Sequence, residues 1–162
     1  MDGLWEKISS YNIFNNLFPG ALFVYFLERF TNVIISSDEL IKNIVLYYFA
    51  GLLIGRIGSI VFEPILKLIR VVRFAPYPEY LHACQCDSKI EVLQEVANMY
   101  RTLFSMFLLL LCILYFSDLF TDKGYIFAKG ISYVFALIFL VAYVKQIHFI
   151  IKRVNKCNNK LP

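Results

Sequence analysis

The sequence predicts an all-α integral membrane protein, a four-helix bundle whose third span extends into the cytoplasm as a helical stalk. Composition is the first observation: 59% of the 162 residues are hydrophobic and 17% are charged, against about 45–50% and about 25% in a soluble domain. The mean hydropathy is +0.63, an excess that lipid accommodates and water does not. The second observation is an uncharged run of 16 residues between Arg101 and Asp118, which as a helix rises about 24 Å and with its flanks crosses a hydrocarbon core. The third is aromatic content, with 16 Phe and 11 Tyr, rings that gather at membrane–water interfaces.

The opening residues MDGLWEKISSYN carry Asp2 and Glu6 against Lys7. A cleavable signal would open with positive charge, so the N-terminus is expected to be retained. Leu4 to Tyr11 suits a short interfacial segment anchored by Trp5. Asn15, Asn16, Pro19 and Gly20 then read as a breaker, with Pro19 in the first turn of the next helix. The first span is placed at 17–35 and is interrupted by Glu28 and Arg29.

After the loop SSDEL, the second span covers 41–62 with one interior charge, Arg56. Gly51, Gly55, Gly58 and Ser59 share one face of it. Small residues in that arrangement let another helix approach closely, either within one chain or at an oligomer seam.

The 63–101 segment opens with Glu63-Pro64 and a basic amphipathic stretch, Ile65 to Phe74. In it Lys67, Arg70 and Arg73 recur every three residues among apolar ones, a pattern suited to lying at a membrane surface and binding lipid or a partner. Pro76-Tyr77-Pro78 stops that stretch, and Ser88 with Glu91 forms a capping-box signature for a helix running unbroken into the third span, 102–119. Residues 118–124 make a polar turn. The fourth span, 126–144, has Lys129 near its start, from where it can snorkel outward, and leads into a basic tail, 145–162, with Lys152, Arg153 and Lys156.

Lys and Arg concentrate in the N-terminus, the 63–101 segment and the tail. The positive-inside rule therefore puts both termini in the cytoplasm, as an even number of spans requires. Beside apolar spans that charge means topology and anionic lipid, and no direct nucleic-acid contact is expected.

Charges within spans mark functional candidates, here Glu28 and Arg56. Folding the hairpin near Asp38 leaves them offset by eight residues, about 12 Å along the axis, too far for a direct pair. Interfacial placement, an ion pair between subunits and an ion pathway remain open for them. His82, Cys84 and Cys86 resemble half a metal site that Cys157 alone could extend, and free reduced thiols are the plainer reading. Cys112 lies inside an apolar run, and His148 on the tail reads as interfacial. No HExxH, phosphate-binding glycine loop or G-x-S-x-G elbow occurs. The chain is expected to be no enzyme and to need no cofactor or metal.

The stretches WEKISSYNIFNNLFPG, YFAGLLIGRIGSIVFEPILK and VANMYRTLFSMFLLLL, taken together, resemble the small four-span membrane components (KwaA-type) of Kiwa anti-phage defence systems, over nearly the full length. The resemblance carries no diagnostic catalytic motif. It implies a homo-oligomer, a tetramer, in the bacterial inner membrane, bound to a cytosolic effector of the same operon and responding to envelope perturbation. Three functions compete: a sensor and scaffold, a pore that perturbs ion balance, and a small transporter, which lacks the internal repeats expected of one.

Overall fold

A computed structural model describes the backbone of residues 2–116 and 125–159, and side chains for 13–116 and 126–159. The Trp5 anchor and the 118–124 turn lie outside the described side chains. Every regular element among the described residues is helical: α1 Asp2–Phe30, α2 Leu40–Ile57, a π turn Gly58–Phe62, α3 Glu63–Leu68, α4 Tyr77–Cys86, α5 Lys89–Phe116 and α6 Tyr125–Asn158. Three stretches are long and apolar enough to cross a membrane: Leu40–Leu68, Lys89–Phe116 and Ile126–Asn158. The expectation of four spans is met in part. α1 is not among these three, because Asn15, Asn16, Glu28 and Arg29 dilute its apolar stretch.

α5 is the axis of the bundle. Half of its apolar window is buried within the protein, against 17% for the Leu40–Leu68 rod and 22% for α6. Its Leu103, Met106, Phe107, Leu110 and Leu114 form the centre of the core. Phe107 stacks on Phe135 and Phe139 of α6 at 5.1 and 5.9 Å and meets Phe26 of α1 at 5.8 Å. The outer helices keep apolar faces exposed: on α2, Ile41, Val45, Phe49 and Leu53 recur every four residues, one helical stripe of the kind lipid solvates.

Four local expectations are corrected. α1 runs through Pro19 with no break at 15–20, and 31–39 is not helical, so the 17–35 boundaries do not hold. Pro19 is buried and cannot donate to the carbonyl four residues back, a loss that helices tolerate where neighbours pack against them. The basic amphipathic stretch Ile65 to Phe74 is helical only as far as Leu68. Arg70 there adopts φ 60°, while the Arg70 amide bonds Lys67 O and the Val71 amide bonds Leu66 O. Those two bonds are a Schellman cap with arginine at the left-handed position that glycine usually fills. Replacing it, Arg70→Gly, is expected to raise thermal stability in detergent by about 1 kcal/mol, and Arg70→Val to lower it.

The third correction concerns Pro76-Tyr77-Pro78. The helical stretch before it already ends at Leu68, and the motif instead starts α4, with Pro78 in the first turn, where a missing N–H costs nothing. The fourth is the start of α5, where Asp87 Oδ1 takes the Lys89 amide at 3.1 Å, a role the sequence pattern assigned to Ser88. As expected, α5 continues unbroken from Lys89 into the third span as far as Phe116, and α6 likewise runs from the fourth span into the tail.

Candidate functional site

The shared face of small residues on the second span is occupied within the chain. A Cβ on Gly51 would lie 1.8 Å from Asn16 O, and one on Gly20 would lie 1.7 Å from Tyr47 O, so α1 and α2 touch backbone to backbone. Gly55 and Gly58 face α5 instead, near Thr102 Oγ1 and Ser105 Oγ. Ser59 donates to Arg56 O at 2.9 Å. One face of a single helix thus seats both α1 and α5.

Directly below it lies a polar cluster that the sequence reading passed over. In a regular helix Glu63 would sit about 100° away from the glycine face. The π turn inserts one residue, with the Glu63 amide bonding Gly58 O five residues back, and so brings Glu63 round to that face. There its Oε2 pairs with Arg101 Nη1 on α5 and accepts from the Tyr143 hydroxyl of α6 at 3.4 Å. Oε1 takes Lys67 Nζ at 2.8 Å. The Glu63 and Arg101 side chains are 14% and 16% exposed, and Arg101 Nε has no hydrogen-bond partner among the described residues. Both residues had been placed at the same end of neighbouring spans, one just after the second and one just before the third. That coincidence of depth was the available signal.

Beside the cluster a polar cleft of about 430 Å³ opens between α1, α2 and α5, lined in part by Asn15, Tyr48, Arg56, Glu95, Asn98 and Arg101. Arg56 is exposed, and its guanidinium makes no ion pair or hydrogen bond among the described residues. Glu28 is elsewhere. Its Oε1 accepts the Ile35 and Ser36 amides at 2.9 and 2.7 Å, closing the loop after α1. Glu28 and Arg56 do not meet.

A second set of polar contacts ties α4, the start of α5 and the end of α6 into a head. Asp87 pairs with Arg153. Gln146 donates to Leu93 O at 3.1 Å, and Asn158 contacts both His82 Nδ1 at 3.0 Å and Glu79 O at 3.3 Å. Of the basic residues singled out on the tail, Arg153 is consumed in this way, while Lys152 and Lys156 stay exposed around a cavity of about 500 Å³. Lys67 is held by Glu63 and lies 4.4 Å from the Phe74 ring centre, and Arg70 and Arg73 are exposed.

All four cysteines are free thiols. No three His, Cys, Asp or Glu side chains converge as a metal site would need, among the described residues. Burial pushes the Cys84 thiol up, and the carboxylates of Glu91 and Asp87 add to this against the opposing Tyr80 hydrogen bond. Cys86 is exposed. Because the thiolate is the nucleophile, iodoacetamide at pH 8 is expected to label Cys86 well before Cys84, which peptide mass mapping over time would read. Comparison with known proteins adds no identity: no family model, no curated protein and no solved structure matches this chain.

Proposed function

We propose that this protein is a non-enzymatic membrane scaffold and sensor, an oligomer that holds a cytosolic partner on its helical head. One observation carries the reading: α5 and α6 each run unbroken from apolar span to head, where Asp87–Arg153 and Leu93–Gln146 cross-link them. A shift of the spans therefore moves the head as a unit. A sensor needs two packings that a stimulus distinguishes, and the Gly51–Asn16 and Glu63–Arg101 contacts are where such a change would act.

In this reading α1 crosses the membrane as the fourth span, carried by its backbone contact with α2. Residues 8–27 contain no charge, and 20 helical residues rise about 30 Å. Both termini then face the cytoplasm. The resemblance to Kiwa membrane components supports reading it as a tetramer of the bacterial inner membrane, with an effector from its own operon acting against phage.

The test is a mild-detergent pull-down of the tagged chain from its native operon, with mass determination of the intact complex. A symmetric oligomer carrying a soluble neighbour supports the proposal, and it should lose that neighbour when the exposed head lysines are reversed, Lys152→Glu and Lys156→Glu. The bare oligomer alone counts against it. A pore is the second reading, favoured by the polar cleft holding Arg56 within an apolar span. It requires that the protein alone conduct ions in a planar bilayer and that Arg56→Ala change the current.

A further inference from the structure

The cleft between α1, α2 and α5 keeps two opposite charges apart. Arg56 and Glu95 both line it, yet no ion pair within 4.0 Å joins them, the Glu95 carboxylate being engaged through Oε2 by Asn15 Nδ2 at 3.2 Å. An unpaired guanidinium on a membrane span is costly unless a counter-charge reaches it. An arginine and a glutamate that line one cleft without pairing leave room for a ligand carrying both signs.

Further donors stand beside the two charges. Gln94 donates to Asn98 Oδ1 at 3.4 Å, which leaves the Asn98 amide nitrogen able to donate into the cleft. The Tyr48 hydroxyl is a further donor on the same wall. Depth adds to the case. On α5 the cleft is lined from Glu95 to Thr102, where the uncharged run that starts at Thr102 gives way to charged residues. Headgroups occupy that depth.

We propose that the cleft binds a phosphoethanolamine group, with Arg56, Asn98 and Tyr48 on the phosphate and Glu95 on the primary ammonium. Guanidinium suits phosphate as a planar donor fork. A carboxylate prefers an ammonium that carries N–H donors over a quaternary one, which has none to give. The depth favours phosphatidylethanolamine of the membrane as the source over the free headgroup. The inference is independent of any partner on the head and stands or falls separately.

The test is native mass spectrometry of the full chain in maltoside micelles with added phosphatidylethanolamine, phosphatidylcholine or phosphatidylglycerol of matched acyl chains. A separate arm adds free phosphoethanolamine as competitor. The wild type should retain phosphatidylethanolamine about tenfold more than either other lipid. Arg56→Gln should reduce that retention about tenfold. Glu95→Gln should abolish the preference over phosphatidylcholine, and its amide oxygen can still accept from Asn15. Neither substitution removes an ion pair made among the described residues, and thermal melting of both variants in the same micelles checks that they fold. Competition by the free headgroup at millimolar levels would make the soluble molecule the source. Equal retention of the three lipids, or retention unchanged in both variants, overturns the proposal.

Discussion

Gly51→Ala is expected to separate α1 from α2 and to cost about 3 kcal/mol or more, above the usual range for a methyl forced into packed space. The added carbon would meet a backbone carbonyl, Asn16 O, at 1.8 Å. A side chain in that place could rotate away, but a carbonyl inside a helix moves only if the helix moves. Gly20→Ala meets the same obstacle in Tyr47 O at 1.7 Å. Gly130→Ala is the matched control, because nothing lies within 4 Å of its added carbon. It should be neutral or stabilise α6 by up to about 1 kcal/mol through helix propensity. Melting of the three variants in one detergent would show the difference. If Gly51→Ala melted with the wild type, the close crossing of α1 and α2 would be wrong.

Removing one partner of the Glu63–Arg101 pair is the second large effect. Glu63→Ala leaves a guanidinium 16% exposed beside apolar spans, and breaking such a pair typically costs about 3–5 kcal/mol. Arg101→Met leaves the carboxylate with Lys67 and Tyr143, so it is expected to be the milder single change. The double variant Glu63→Met with Arg101→Met should be less harmful than the sum of the singles, since no charge is then left buried and unpaired. A double-mutant cycle by thermal melting gives that coupling directly. A coupling near zero would mean that the pair is solvated and that the π turn serves some other purpose.

These two contacts also mark the limit of what the chain discloses by itself. Helical class, three strongly apolar stretches and the unbroken run of α5 were legible because each depends on composition and on periodicity within one segment. The 16 uncharged residues after Arg101 need no partner to be recognised. The α1 boundaries were misjudged because local propensity reads Pro19 and Gly20 as a stop, whereas packing against Tyr47 and Gly51 keeps the helix going. The Ile65 to Phe74 periodicity was real, yet the chain turns at Arg70 and brings Val72 and Ala75 onto the core.

The candidate site shows the same division. Arg56 stands out in the sequence as a charge in an apolar run, and Gly51, Gly55 and Gly58 stand out by spacing. What these residues face could not be read from spacing. The glycine face splits between α1 and α5, with Gly51 against Asn16 and Gly55 and Gly58 against Thr102 and Ser105, and how two helices meet is a property of both. Nothing local marks Glu95, which meets Asn15 of α1 from 80 positions away. By itself the sequence determined that the chain is helical and where it is apolar, since those follow from each residue's own preference for helix and lipid. Tertiary structure alone decided which polar groups meet, because a partner dozens of positions away is chosen by helix packing and by one inserted residue at 58–62, and neither leaves a local pattern.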